Sequence, residues 1–245
     1  TTGNIIIGVI NAGTANGDVT LSATAGTIMD NADDATADII GDDLVLTAAS
    51  GIGQADATGG ASLDTTANTL TASVTSAGPL NIDESNGLTL TDVDTANGPI
   101  TIDAAGTVTA TDVVSTTDVD GNGIQITTTV GNIVVGVVSA GTTQADVTLT
   151  ASAGSILDNA TDDTVDITGD GVVLTAATGI GEADGSGNGS LDTTVGVLTA
   201  SVTSAGLINI DDVDGSGTLF LDGVTTANGP ITIDAGAAVG VINVV

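Results

Sequence analysis

The chain has 245 residues, of which 31 are acidic and none is Lys, Arg or His, so its formal net charge is −31 at pH 7. Binding to nucleic-acid phosphates or to an anionic membrane surface needs cationic side chains, which excludes both kinds of partner. Cys and Tyr are also absent, so the chain has no triad, Schiff base or thiol nucleophile. We therefore expect a protein that is not an enzyme.

Short segments of one kind follow each other along the chain. Each has four to six residues, alternates apolar and polar positions, and is bounded by Gly, Asn or Asp, which predicts β-strands. The clearest examples, in chain order, are DVTLSA, DLVLTAA, NTLTASV, GPLNIDE, GLTLTDV, GPITIDA, TVTATDV and GIQITTT. Their spacing of roughly 8 to 12 residues predicts that two or three strands make one turn of about 20 residues.

The chain also repeats itself over a long distance. GNIIIGVINAG from Gly3 returns as GNIVVGVVSAG from Gly131, an offset of 128, and TANGPITIDA at Thr95 returns at Thr226 with an offset of 131. We expect one continuous domain over 1–245, built from the internal repeats 1–128 and 129–245. Small aliphatic residues and a single aromatic, Phe220, suit a narrow lumen. The prediction is an all-β fold, a right-handed parallel β-helix (β-solenoid) of about 11–12 coils of roughly 20 residues.

One stretch resembles a known family. GSILDNATDDTVDITGDGVVLTAATGIGEADGSGNGSLDTTVGVLTASVTSAG, which starts at Gly154, is similar to the repeats of filamentous-haemagglutinin-type large exoproteins. Those repeats contain a GSI and D segment, an LTA and GIG segment and a later G-I-I strand. The resemblance implies a right-handed parallel β-helix in a bacterial protein located outside the cell or on its surface.

Two acidic turns resemble the start of a calcium loop. DVDGNG begins at Asp118 and DVDGSG begins at Asp212; calcium prefers six to eight oxygen ligands on a loop with a sharp turn at Gly. Neither turn has the Glu that closes an EF-hand, and an Asx-turn between strands is the alternative interpretation. The expected ligands are Asp118, Asp120 and Asn122 in the first turn, and Asp212, Asp214 and Ser216 in the second.

Two further turns gather several carboxylates. MDNADD begins at Met29 and LDNATDD begins at Leu157. Stacked coils would hold such groups about 4.8 Å apart along the axis, and no cationic side chain is present to compensate them. We therefore expect Ca²⁺ as the cofactor. The additional ligands would be Asp30, Asp33, Asp34, Asp158, Asp162 and Asp163.

Two functions fit these features. The first is a structural subunit of an extracellular bacterial fibre or sheath, which assembles head-to-tail with copies of itself and is stabilised by calcium. Its interface would use both ends of the solenoid, through Ile5, Ile7, Val9, Val241 and Val244. The second is the stalk or passenger of a secreted adhesin, whose partner would be a cell surface or an extracellular polysaccharide. The start of the sequence lacks the basic region of a signal peptide, and suggests a mature or excised segment.

Overall fold

In the computed structural model, residues 2–32, 34–54, 62–160, 162–182, 189–213 and 217–243 are described. They contain β-strands and no helix. The first strands are β1 (Ile5–Ile7), β2 (Ile10–Asn11), β3 (Val19–Ala23), β4 (Ile28–Asp30), β5 (Ile39–Ile40), β6 (Asp43–Ala48), β7 (Leu63–Thr66), β8 (Thr69–Ala77), β9 (Leu80–Glu84), β10 (Leu88–Asn97), β11 (Ile100–Ala104), β12 (Val108–Ala110) and β13 (Val113–Ser115). The remaining strands are β14 (Ile124–Thr128), β15 (Ile133–Val135), β16 (Val138–Ser139), β17 (Val147–Ala151), β18 (Ser155–Asp158), β19 (Ile167–Ala176), β20 (Gly179–Ile180), β21 (Leu191–Val202), β22 (Ile208–Asp212), β23 (Thr218–Thr226), β24 (Ile231–Ala235) and β25 (Ala238–Asn243).

The strands stack in parallel on two faces, and the chain passes from one face to the other in alternation. Face A begins with β1 and β2, continues through β9, β11, β14 and β17, and ends with β25. Face B begins with β3, continues through β8, β10 and β12, and ends with β24. The strands β19 and β21 each contribute to both faces. The result is a parallel β-solenoid, as the alternating segments predict.

A single column of aliphatic side chains runs through face A from one end to the other. Its members are Ile5, Ile28, Ile52, Leu80, Ile100, Ile124, Val147, Val172, Leu198, Leu221 and Val241, each paired with the next. Inward positions alternate with outward ones in each strand, so that in β11 Ile100, Ile102 and Ala104 are buried. Stacking like on like buries the apolar residues in a narrow lumen that needs no aromatic side chain.

The predicted number and length of the coils are wrong. The solenoid has about 9 turns, roughly 24 residues apart, instead of 11–12 coils of about 20. The turn from Leu80 to Ile100 has the expected 20 residues, whereas the turn from Ile52 to Leu80 has 28. The longer turns leave the strand and return to it through loops such as 31–38, and these loops cannot be recognised from the strand pattern alone.

The 128-residue repeat does not correspond to a whole number of turns. The counterpart of β1 in the second repeat is β15, but β1 belongs to face A and β15 stacks on β12 in face B. Between the two strands the chain makes eleven passes from one face to the other, which is five and a half turns. Every feature of the first repeat therefore recurs on the other face of the second repeat.

Two glycines at the corner before β9 and β11 are required by the close approach of successive coils. Gly78 and Gly98 precede Pro79 and Pro99, and they lie one above the other. A Cβ atom on Gly98 would overlap the backbone carbonyl of Gly78, and one on Gly78 would overlap the carbonyl of Ser50. The backbone cannot move away without opening the ladder, so this corner admits no side chain.

Replacing Gly98 by Ala should therefore destabilise the solenoid by about 1 to 3 kcal/mol, the usual cost of overpacking. Urea unfolding followed by circular dichroism measures this difference. The matched control is Gly121→Ala, because an added methyl group there has no neighbour within 4 Å. Equal stability of the two variants would contradict the close packing of this corner.

Candidate metal centre

Each repeat carries a column of aspartates on successive coils. In the first repeat, Asp64 is paired with Asp83 and Asp83 with Asp103, while Asp38 lies on the other side of Asp64, to whose carbonyl its N–H donates at 2.8 Å. The second repeat has the same column, formed by Asp166, Asp192, Asp211 and Asp234. Parallel stacking thus holds four carboxylates in register about 4.8 Å apart, which is unfavourable unless protons or cations compensate the charge.

At the end of the first column, three carboxylates converge. Asp30 is the last residue of β4, Asp38 precedes β5 and Asp64 lies within β7. One oxygen atom from each of the three carboxylates lies within 4.8 Å of the others. Asp38 and Asp64 are only 2% and 6% exposed, and Asp30 is half-buried. We call Asp30, Asp38 and Asp64 the first triad.

Backbone hydrogen bonds position the members of the first triad. The N–H of Asp64 donates to Oδ2 of Asp38 at 3.1 Å. Oδ1 of Asp30 accepts the N–H of Ala32 at 2.8 Å, and its Oδ2 accepts the N–H of Asp34 at 3.4 Å. These bonds close the loop 31–38 over the strands, so the loop returns the chain to face A with Asp38 beside Asp30.

The second repeat contains the same arrangement in Asp158, Asp166 and Asp192, which we call the second triad. The N–H of Asp192 donates to Oδ2 of Asp166 at 2.8 Å, as Asp64 does to Asp38. Asp158 closes its loop through the N–H groups of Ala160 and Asp162, at 2.8 and 3.2 Å. The second triad belongs to face B, because Asp158 ends β18 and Asp192 lies in β21.

One oxygen atom in each triad lacks a hydrogen-bond partner. Within the described ranges, Oδ2 of Asp64 and Oδ2 of Asp192 are buried without a donor. Both side chains are almost completely enclosed, with 6% and 1% exposed. A buried carboxylate oxygen without a donor is costly. The same atom is left in this state in both repeats, so it marks a common feature of the two triads.

Burial and mutual repulsion raise the pKa of these carboxyl groups. Burial raises the pKa of Asp38 to about 7 despite the hydrogen bond from Asp64, and the neighbouring Asp30 adds to the effect. Burial and the charge of Asp83 raise the pKa of Asp64 to about 7. In the second triad, burial raises the pKa of Asp166 to about 8 and that of Asp192 to about 6. The folded chain therefore favours either protons or a cation at both triads.

A cavity of about 120 Å³ lies against the first triad. It is lined by Ala35 and Ala37 of the covering loop and by Asp64, Thr65, Asp83 and Ser85. The cavity therefore reaches one carboxylate of the triad and the next carboxylate of the column. An ion or water molecule could approach Asp64 from this side without opening the solenoid.

The predicted turn at Asp118 has a different role from that of a calcium loop. The Asp118 carboxylate accepts the side-chain hydroxyl of Thr143 at 2.6 Å and the N–H groups of Thr143, Gln144 and Ala145 at 2.9–3.0 Å. These bonds lower the pKa of Asp118 to about 2, with the Thr143 hydroxyl first among the causes. Asp118 therefore ties its own turn to the turn of the next coil.

The other two residues of this turn do not converge on Asp118. Asn122 is buried, and its side-chain N–H group donates to Oδ1 of Asn97 at 2.8 Å and to the carbonyl of Thr117 at 2.7 Å. Asp120 is exposed and lines an open cavity of about 230 Å³ together with Asp146. The alternative interpretation as an Asx-type turn describes these contacts best, and the cation prediction for this turn is still a prediction.

The second DVDG turn occupies another place in the coil. Asp212 is the last residue of β22 and only 1% exposed, and its Oδ1 accepts the N–H of Val195 at 3.3 Å. At the offset of 128 its counterpart is Glu84, a buried acid that also accepts backbone N–H groups. The two DVDG motifs are therefore not equivalent. Asp214 and Ser216 lie outside the described residues, as does Asp33.

The remaining predicted ligands lie on the loops that cover the triads. Asp34 and Asp162 are exposed, and each accepts the N–H of the residue two positions later at 2.7 Å. The bonds from Thr164 lower the pKa of Asp162. Asp163 is exposed as well, and its charge contributes to the raised pKa of Asp192. The structure thus brings Asp30 and Asp158 into the triads and leaves these three at the rim.

Sequence reasoning missed Asp38, Asp64, Asp166 and Asp192. They lie 8 and 34 residues after Asp30 and Asp158, too far apart in sequence for a local motif. The offset of 128 carried the missing signal, because each member of the first triad has an aspartate counterpart in the second. Many other aspartates share this property, so the offset alone would not have separated the triads from ordinary turns.

The residues predicted for the assembly interface lie at the two ends of the solenoid. Ile7 is buried and Ile5 half-buried in β1, whereas Val9 is 65% exposed after it. At the other end, Val241 in β25 is 58% exposed. Val244 lies outside the described residues.

No family model, curated protein or solved structure matches the chain. The described part of the chain contains no helix long and apolar enough to cross a membrane. The repeat architecture is consistent with a β-helix repeat protein, and the arguments about function depend on the chain's own residues.

In metal-free buffer, the free energy of unfolding should fall as the pH rises from about 5 to about 8. The raised pKa values mean that the folded chain still holds protons at a pH where the unfolded chain has lost them. The stability from these groups is complete below the ordinary carboxyl pKa and is lost as the pH passes the folded values, about 6 for Asp192 to about 8 for Asp166. Urea midpoints across this range measure the slope.

The double variant Asp38→Asn with Asp166→Asn should flatten this slope. The control is Asp18→Asn with Asp112→Asn, which removes the same charge from exposed positions and should keep the slope. A wild-type stability that is independent of pH over the range would contradict the assignment of raised pKa values.

Proposed function

We propose that the chain is a structural, non-catalytic subunit of an extracellular bacterial fibre or sheath. In this proposal, copies add to one another at the ends of the solenoid and calcium compensates the acidic turns. The observation that carries the proposal is the junction between the two internal repeats. There β12 stacks on β15 and β11 on β14 with the same in-register pairing as within each repeat.

This junction supplies a template for contact between copies. At the offset of 131, Val239 and Val241 of β25 correspond to Val108 and Ala110 of β12. Within the chain, Val108 is paired with Ile133, whose counterpart in the first repeat is Ile5. A second copy would thus place Ile5 over Val239 and Ile7 over Val241, and pair edge groups that otherwise remain open.

The edge of the last coil has the character that such a contact needs. Val239, Val241 and Ile242 of β25 are 49–59% exposed, whereas Val108, the counterpart of Val239, is fully buried by the coil above it. Burying these side chains would favour stacking by about 25 cal/mol for each Å² removed from water. The contact is heterologous, so it does not close on itself and would propagate into a filament.

The location and the counter-ion are part of the same proposal. The resemblance to large exoproteins favours a place outside the bacterial cell. Calcium is abundant there and would compensate a surface that has acidic side chains and no basic ones. The compensation would act within each subunit and also between acidic loops that face each other across a contact between copies.

The same junction also favours a second candidate, the stalk or passenger of a secreted adhesin. The two repeats are joined covalently without any break in the stacking. A longer array of such repeats would form a rod that holds a binding surface away from the cell, toward another cell surface or an extracellular polysaccharide. In that case further coils of the same chain, instead of a second copy, would cover the edges.

The fibre proposal predicts that the 245-residue chain assembles in calcium into thin, unbranched filaments. About 9 turns at about 4.8 Å each predict an axial repeat of roughly 43 Å. Val241→Lys should abolish the filaments, because a charged side chain would enter the apolar contact. Electron microscopy and light scattering at micromolar concentration measure the assembly.

The control for this variant is Val173→Lys, which introduces the same charge at a 39% exposed position on a strand that has neighbours on both sides. It should assemble like the wild type. If the wild-type chain in calcium stays a monodisperse monomer, the fibre proposal is wrong and the adhesin stalk is favoured.

A further inference from the structure

We propose that the first and second triads are two equivalent binding sites for a divalent cation, one in each repeat, and that calcium is the cation they fit best. The ligands are the carboxylates of Asp30, Asp38 and Asp64 on face A and of Asp158, Asp166 and Asp192 on face B. The inference narrows the calcium part of the proposed function to two sites and rests on that part, but not on assembly.

The first argument is the size of the cluster. Two oxygen atoms bound to one calcium ion can be no farther apart than twice the Ca–O distance of about 2.3–2.6 Å, which is about 5 Å. The three oxygens of the first triad lie within 4.8 Å of one another, so one calcium ion can contact all three. Magnesium, with Mg–O distances of about 2.0–2.1 Å, would need the carboxylates to draw closer together.

The second argument is the oxygen atom without a donor. Oδ2 of Asp64 and Oδ2 of Asp192 are buried and have no hydrogen-bond partner in the described chain. Other buried carboxylate oxygens of the solenoid do have donors: Glu84 accepts bonds from Thr65, Ala67 and Asn86. A cation at the triad would satisfy the open oxygen, and the same atom is open in both repeats.

The third argument is the chemistry of the ligands. Three carboxylates form an all-oxygen set, which suits calcium, magnesium or manganese and disfavours metals that prefer nitrogen or sulfur. A divalent ion reduces the charge of three ionised carboxylates from −3 to −1 without any basic side chain. The cavity beside Asp64 leaves room for water to complete the six to eight ligands of calcium.

Protons are the competing solution for these carboxylates. A proton shared within each triad would also relieve the repulsion, but it would leave the stability of the chain indifferent to calcium at neutral pH. A cation site instead makes stability depend on calcium, because the ion binds the folded state and not the dispersed carboxylates of the unfolded chain. This difference separates the two explanations.

The experiment titrates the metal-free chain with calcium chloride by isothermal titration calorimetry at neutral pH. Sodium chloride at about 0.15 M screens weak binding to the exposed acids. The wild type should bind two calcium ions per chain well above this background, and more tightly than it binds magnesium. Asp64→Asn and Asp192→Asn should each bind one, and the double variant none.

Melting temperatures separate a metal ligand from a residue needed only for folding. Millimolar calcium should raise the melting temperature of the wild type by several degrees, and should not raise that of the double variant. In chelator the double variant should melt at least as high as the wild type, because it lacks two buried charges. The control is Asp18→Asn with Asp112→Asn, which should keep both ions and the full calcium response.

Three results would overturn the inference. If calcium raises the melting temperature of the double variant as much as that of the wild type, calcium binds the exposed turns, and only the assignment to the triads is wrong. If the wild type binds fewer than two ions and does not respond to calcium, the calcium part of the proposed function is wrong too. If the double variant does not fold, Asp30→Asn with Asp158→Asn replaces it, and retention of both ions by that variant would contradict the site.

Discussion

In-register parallel stacking is the constraint on which the rest of the structure depends. Each residue of a coil lies about 4.8 Å from its partner in the next coil, roughly 24 positions along the chain. The consequence differs with the side chain. A column of aliphatic residues such as Ile28, Ile52 and Leu80 gains by burial and close packing, whereas a column of aspartates such as Asp64, Asp83 and Asp103 accumulates like charges.

The chain meets this repulsion in two ways, and neither uses a basic residue. On the outside of the turns, carboxylates accept backbone N–H groups. Asp118 ties two successive turns together in this way, and the same bonds keep it ionised. Within the triads the covering loops bury the carboxylates and leave an oxygen of Asp64 and of Asp192 without a donor. The second arrangement is stable only with protons or a cation, which is why the triads, and not the exposed turns, mark the candidate site.

The half-turn offset of the repeat determines where these sites lie. Because 128 residues make five and a half turns, the first triad lies on face A and the second on face B. A repeat of five whole turns would have placed both triads on one face, with all their negative charge on one side of the rod. The observed offset distributes charge between the two faces, and it leaves each face with an uninterrupted apolar column.

The sequence by itself determined the class of fold and the chemistry that is absent. Period-two alternation bounded by Gly, Asn and Asp predicts short strands, the aliphatic lumen and the long repeat predict a solenoid, and the missing cationic residues point to an external counter-charge. These properties are local or periodic, so one sequence is sufficient to recognise them. Even Asp30 and Asp158 were identified as candidate ligands, because each begins a visibly acidic turn.

Only the tertiary structure decided the length of the coils and the partners of those two aspartates. Loops such as 31–38 lengthen some turns to 28 residues, and their length sets which residues become neighbours in the next coil. Asp38 and Asp64 join Asp30 because the loop returns to the ladder at one particular position, and a shift of one residue would turn each side chain to the other face. The strand pattern specifies that coils stack, but the register between distant segments is a property of the folded chain.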